Sequence, residues 1–282
     1  MIFTHEQIKT FQDQGYAILP GLLNEQEVKY LRNFFHDLFI SEYWKKSTFN
    51  SNSIINDIYR DFPELIDLIF KPKYILAAKE LLGEQMVCVP ECSVHYNRFF
   101  DWHRDTAIME AQGFFTHKDK RHQLVQGGIY LQENKPEGGG LLLIPGTNRG
   151  KDRFIKHVYG SPVERTIQKI SRAFHISISQ RIEKKENLYL PPTKAGDVLF
   201  FDSELDHRAS FKRHFLGNAR IPEIEKFAIF NGFCSTEKMA KDYLKCITQP
   251  DEPYANFLKQ TKAPPILIQK SNELALKIEY PQ

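Results

Sequence analysis

Apolar residues recur at three- and four-residue spacing as far as Gly83 and at two-residue spacing beyond it, which divides the chain into a helical opening and a β-rich body. Thr4 with Gln7 makes a capping box, Ile8 and Phe11 give an apolar face and Gly15 a stop, predicting a helix over residues 5–14. Tyr16 to Pro20 reads as a strand. A second box, Asn24 with Glu27, opens a longer helix whose Val28, Leu31, Phe35 and Leu38 should pack on a sheet. Residues 44–60 are polar and carry no assignable element. Pro63 and Pro72 suit first helical turns, and Tyr74 to Leu82 closes at Gly83, so one or two further helices end there.

Strands are then expected over 85–98, Leu124 to Glu133, Leu141 to Ile144, Leu188 to Leu190, Val198 to Phe201 and Phe227 to Phe233. Glycine and proline turns separate them, at Pro136 to Gly140, Pro145-Gly146 and Ala195 to Asp197. Short strands with such punctuation indicate a sandwich or jelly roll rather than a parallel α/β sheet. Ser235-Thr236-Glu237 begins a helix ending near Cys246, and the proline-containing tail from Pro250 is expected to wrap the surface.

Candidate chemistry centres on Trp102-His103-Arg104-Asp105. In an extended segment His103 and Asp105 point to one face and Arg104 to the other, where it should pair with an acidic neighbour. One imidazole and one carboxylate then converge, and a second imidazole completes the three-ligand face that non-haem Fe(II) oxygenases use. His207, following the apolar run Val198 to Phe201, is the best candidate. The bland alternative is a hydrogen-bonded His and Asp at a strand end. A second His-x-Asp, His117 with Asp119, lies among Lys118, Lys120, Arg121 and His122 and reads as a charged loop. His95, on the face shared with Ser93 and Asn97, is read first as a hydrogen-bonded core residue and second as a cavity residue.

At 282 residues, with 41% hydrophobic and 26% charged residues, the chain suits one elaborated globular domain and argues against disorder. Its expected parts are a mainly helical 1–84, a core over 85–233 with an insertion at 151–186, and a C-terminal 234–282. No apolar run approaches a membrane span, and the opening residues lack a signal peptide, so a cytoplasmic protein is expected. Cys88, Cys92, Cys234 and Cys246 read as free thiols. A net charge of +3 is too small to indicate nucleic acid.

In order and spacing, Phe11 to Leu23, Trp102 to Asp105, Gly138 to Gly150, and Gly196 to Phe201 leading to His207 resemble the phytanoyl-CoA dioxygenase family of Fe(II)/2-oxoglutarate oxygenases. The resemblance implies a double-stranded β-helix (a cupin-like jelly roll) with helices packed outside, and iron held by His103, Asp105 and His207. It also implies 2-oxoglutarate and dioxygen as co-substrates and hydroxylation of a small-molecule substrate. A basic residue before the strand after the second ligating His should pair with the distal carboxylate of 2-oxoglutarate. Lys226, abutting that strand, and Arg220, the better carboxylate partner, are the candidates, with Arg213 behind them. Asn148 stands where the family often has His, in a turn read as structural. Halogenating relatives replace the ligating carboxylate with a small residue, so Asp105 argues for hydroxylation or a related oxidation.

The insertion 151–186 carries nine basic and four acidic residues, and Lys118, Lys120 and Arg121 add to them. A basic rim would draw an anionic substrate, phosphorylated or linked to CoA or a sugar; the plain alternative is a solvated helix. The rival function keeps the same cavity without redox chemistry, as a cupin-like binding protein or isomerase.

Overall fold

The computed structural model describes residues 1–41, 54–56, 58–155, 161–173, 178–211, 224–249 and 262–280, without the side chains of 90–92, 162, 165, 168, 169, 172, 173, 178 and 180. The helical opening holds α1 (His5–Gln14), β1 (Tyr16–Leu19), α2 (Glu25–Ile40), β2 (Ile54–Asn56), α3 (Ile58–Asp61), α4 (Leu65–Ile69) and α5 (Pro72–Leu82). Both predicted capping boxes form, and Gly15 closes α1 at φ 84° with its N–H on the Phe11 carbonyl. That glycine also permits close approach, because an added Cβ would lie 3.0 Å from both Asn148 Cγ and Leu205 Cδ1.

The body follows with β3 (Val87–Tyr96), α6 (Ala107–Ala111), β4 (Leu124–Tyr130), β5 (Leu141–Leu143), α7 (Pro162–Ala173), α8 (Ile178–Lys185), β6 (Val198–Asp202), β7 (His207–Ala209) and β8 (Phe227–Cys234). Helix α9 (Glu237–Ile247), α10 (Pro265–Glu273) and β9 (Lys277–Ile278) complete it. One seven-stranded sheet runs β1-β6-β4-β8-β3-β2, with β9 parallel to β3 and the other pairs antiparallel; β5 and β7 make a second, two-stranded sheet.

Period-two alternation sorts the large sheet's side chains between two cores. Val198, Phe200, Phe227 and Ile229 face the helices, where Phe35 and Phe39 of α2 meet Phe227 at ring separations of 6.3 and 6.4 Å. Leu199, Phe201, Tyr130, Ala228 and Phe230 face the small sheet and pack with Leu141, Leu143 and Leu205. The space between the sheets is therefore lined from β4, β6 and β8, as the double-stranded β-helix expectation requires.

Several expectations change. Leu188 to Leu190 is no strand, since only Tyr189 bridges Leu143, whereas His207–Ala209, too short to show a pattern, is one. The tail forms α10 and a sheet strand rather than only wrapping the surface. The insertion, expected to lie outside what the core fold needs, contributes Phe154 and Ile182 to a buried cluster with Trp102 and Ile144. Cys88, Cys234 and Cys246 are buried free thiols; the side chain of Cys92 lies outside the described residues. Among the described residues no helix is long and apolar enough to cross a membrane.

Candidate active site

His103 sits just after the turn that follows β3, and His207 opens β7. The two residues exchange backbone hydrogen bonds, His103 N–H to His207 O at 3.0 Å and the reverse at 3.1 Å, so their rings lie 4.3 Å apart on one face. Alternation puts Asp105 on that face too, and its Oδ1 lies 3.5 Å from Nε2 of each histidine. Among the described residues these three are the one cluster of His, Cys, Asp or Glu whose donor atoms fall within 4.8 Å of one another.

The chemistry of the donor set fits a metal ion. Nδ1 of His103 is 2.7 Å from the Asp101 carbonyl and Nδ1 of His207 is 2.9 Å from the Leu205 carbonyl. A carbonyl only accepts, so each Nδ1 carries the proton and each Nε2, in the neutral ring, presents a lone pair. Ligands at right angles about 2.1 Å from one ion lie about 3 Å apart, so the observed spacing needs only slight contraction. Burial works against the charge on Asp105, yet the adjacent His207 and His103 hold its carboxyl below the usual carboxylate range. Two imidazoles and one carboxylate on one face suit Fe(II).

Behind the donors, Arg104 points the other way, as expected, and its Nε lies 2.5 Å from Asp206 Oδ1, both side chains being almost completely buried. Arg104 also donates to the carbonyls of Gly150 and Thr147, and Arg153 holds the other Asp206 oxygen at 2.6 Å. The residues next to the two histidines thus join the two donor-bearing segments from the rear. Trp102 Nε1 donates to Glu183 of α8 at 3.0 Å, which ties the insertion to the same motif.

Lys226 immediately precedes β8, and alternation aims it with Ala228 and Phe230 at the inner space. It is 4% exposed, its Nζ donates to the Arg98 carbonyl at 2.6 Å, and no carboxylate pairs with it among the described residues. Burial first and Arg98 second push its pKa down to about 7. Gly139 makes room for it: an added Cβ would lie 3.0 Å from Lys226 Cβ. A buried cation of this kind suits the distal carboxylate of 2-oxoglutarate. Arg220 and Arg213 lie outside the described residues.

Nearby, the buried Tyr130 hydroxyl has no hydrogen-bond partner among the described residues, and Asp105 is close enough to act on its ionisation. Tyr130 and His95 both stand in register with Ala228, on β4 and β3, forming a row across three strands. His95 bonds Ser93 Oγ at 3.2 Å and lies 4.8 Å from the Phe230 ring, within electrostatic reach of Lys226 and Asp105. It is hydrogen-bonded, as first expected, and stands close to the charges of the site. Sequence reasoning passed over Tyr130, whose signal was one hydroxyl in the apolar run of β4.

The second His-x-Asp is no donor pair. His117 is nevertheless buried against Glu110 rather than solvated, and Asp119 pairs with Arg121. Of the loop cations, Lys118 meets Glu110 and Glu204, while within the insertion Arg153 meets Glu186 and Asp206. Asn148 donates to Asp202 at 3.1 Å, which gives its turn a structural role.

The chain is 23% identical to an ectoine dioxygenase of Sphingopyxis alaskensis, over 80% of this chain and 74% of that protein. Its fold matches the crystal structure of EctD from S. alaskensis with 2-oxoglutarate and 5-hydroxyectoine (TM-score 0.59, 20% identity, 82% of this chain and 76% of that one). It likewise matches EvdO2 from Micromonospora carbonacea var. aurantiaca (TM-score 0.56, 18% identity, 83% and 91%). The profile of one family fits residues 11–213 of the 282, and the chain therefore belongs to the phytanoyl-CoA dioxygenase (PhyH) family of Fe(II)/2-oxoglutarate-dependent dioxygenases.

Proposed function

We propose that this protein, as one domain, hydroxylates a small anionic substrate, with His103, Asp105 and His207 holding Fe(II) and Lys226 receiving the distal carboxylate of 2-oxoglutarate. The observation that carries this reading is the convergence of two imidazoles and one charged carboxylate, with Asp105 Oδ1 3.5 Å from each Nε2 and all donor atoms within 4.8 Å of one another. When bound, iron and 2-oxoglutarate supply the oxidising power, with 2-oxoglutarate giving succinate and CO2 as oxygen enters a C–H bond.

The chain's own residues bind, orient and exclude water. The carbonyls of Asp101 and Leu205 fix both histidine tautomers, so neither ring must reorganise when a metal arrives. Lys226 orients the co-substrate from a site that its own burial keeps dry. The rings of Phe201 and Phe100 lie 4.8 Å from His207 and 5.4 Å from His103, covering the donors with apolar surface. An acidic group on the substrate is supported by the shortage of acidic partners around Lys226 and Arg98 among the described residues.

The test is aerobic turnover of 2-oxoglutarate with added Fe(II), read as succinate. His103→Ala and Asp105→Ala should abolish it; succinate formed by either variant at the parent rate would end the proposal.

A further inference from the structure

The turn after β3 brings two cations together. Asn97 has φ 46°, in the left-handed region that asparagine enters more readily than other non-glycine residues, and so shapes the turn. Three hydrogen bonds hold the turn to Lys226: Asn97 N–H to Lys226 O at 2.9 Å, Lys226 N–H to Asn97 Oδ1 at 2.9 Å, and Lys226 Nζ to Arg98 O at 2.6 Å. Arg98 is thereby placed beside a buried lysine, and its charge opposes that lysine's. No ion pair engages Arg98 among the described residues; its guanidinium lies 4.5 Å above the Phe100 ring, which in turn is 5.4 Å from the His103 ring. Two cations at one spot, one buried and the other exposed, with no acid to offset them among the described residues, favour anionic ligands there.

One carboxylate of 2-oxoglutarate accounts for Lys226 alone. We propose that Arg98, with His95 beside it and the Phe100 face as floor, is a second anion subsite that takes a carboxylate or phosphate group of the substrate. This rests on the assignment of Lys226 to the co-substrate. His95 suits a neutral hydrogen-bonding role, since burial, then Lys226 and Arg98, hold its pKa down to about 3. Phe100 separates the guanidinium from a metal-binding imidazole by one ring, so the acidic group should sit only a few bonds from the carbon attacked. Arg98 then acts as a specificity determinant: it selects acidic substrates and fixes which carbon reaches the iron.

The experiment uses anaerobic Fe(II)-loaded protein. The visible absorbance of the Fe(II)–2-oxoglutarate chelate reports co-substrate affinity, and calorimetry on that complex reports binding of inorganic phosphate and, separately, of acetate. Arg98→Gln should weaken binding of at least one probe about tenfold, as expected for loss of a charge-assisted hydrogen bond, while leaving the chelate titration within about twofold. His95→Asn should weaken the same probe to a smaller extent. Lys226→Met should do the reverse, lowering 2-oxoglutarate affinity and sparing the probe. Whichever probe responds identifies the acid class. Equal probe binding by parent and Arg98→Gln, absence of binding by the parent to either probe, or displacement of 2-oxoglutarate by the probe overturns the subsite. A missing chelate absorbance in the parent would instead overturn the co-substrate assignment, and is read independently of the calorimetry.

Discussion

Replacing Arg104 by Met keeps the side chain's length and apolar stem but removes a charge that is buried with Asp206. Three contacts go: 2.5 Å to Asp206 Oδ1, 2.9 Å to the Gly150 carbonyl and 2.8 Å to the Thr147 carbonyl. Removing one partner of a buried pair costs about 3–5 kcal/mol, because the other charge stays in a poorly solvated place. Arg153 still reaches Asp206 Oδ2 at 2.6 Å, so the lower end, about 3 kcal/mol, is expected. For a chain of this size that lowers Tm by about 5–10 °C. A structural role alone would stop there. Because Arg104 and Asp206 adjoin His103 and His207 in sequence, Arg104→Met should also weaken Fe(II) binding by about 10- to 100-fold, the usual effect of losing support behind a ligand. Denaturant unfolding and metal titration measure the two effects. The double variant Arg104→Met/Asp206→Leu should recover part of the stability and none of the metal affinity. A loss below about 1 kcal/mol in Arg104→Met, with unchanged metal affinity, would refute the claim that this pair joins the ligand segments.

Lys226 gives a pH dependence. With its pKa held near 7 in the ligand-free protein, a carboxylate binding above that pH must bring a proton with it, so 2-oxoglutarate affinity should fall by up to about tenfold per unit above pH 7. Over the same range, up to the ordinary lysine pKa of 10.5, the unfolded chain keeps a proton that the fold lacks, so ligand-free stability should rise with pH, and Lys226→Met should flatten that slope. A co-substrate affinity constant from pH 7 to 9 would contradict the burial of this cation. Gly139 has φ 83° and its Cβ position lies 3.0 Å from Lys226 Cβ, so Gly139→Ala should cost about 1–2 kcal/mol and raise the 2-oxoglutarate dissociation constant several-fold. Unfolding curves and the chelate titration check it, and an unmoved titration would detach Gly139 from the lysine's placement.

What the sequence disclosed depended on whether the signal was local. Capping boxes at Thr4 and Asn24 and the alternation of Phe227 to Phe233 are short-range patterns, and they appear in the structure nearly where they were expected. The three donors were legible because extended backbone forces His103 and Asp105 to one face. Their closure with His207, 102 residues after Asp105 in the chain, depends on the β5–β7 sheet; β5 was expected, but β7, three residues long, carries too little pattern to predict. Charge counting over 151–186 says little for a related reason: formal charge does not report pairing. Arg153 is held by two carboxylates, while Arg98, outside the counted stretch, has none among the described residues. Tail residues 277–278 joined the sheet through β3, a contact whose sequence separation hides it from any window.

The two ligand segments solve one problem the same way. In each, the histidine Nδ1–H is held by the carbonyl two residues earlier, Asp101 for His103 and Leu205 for His207. In each, the residue adjoining the histidine turns back into the Arg104–Asp206 pair, and the backbones bond reciprocally between the histidines. Front and rear of the site are thus coupled by the two-residue period of extended chain: fixing the rear pair fixes which way the front rings face. Tautomer and orientation are set by the polypeptide before any ion binds, so the metal's binding energy need not reorganise the donors. The same logic applies one layer out, where Gly139 and the Asn97–Arg98 turn hold Lys226 in place by backbone contacts. Function-bearing side chains here are positioned by main-chain carbonyls and glycine clearances, which explains why a residue inventory found the donors more readily than the features that aim them.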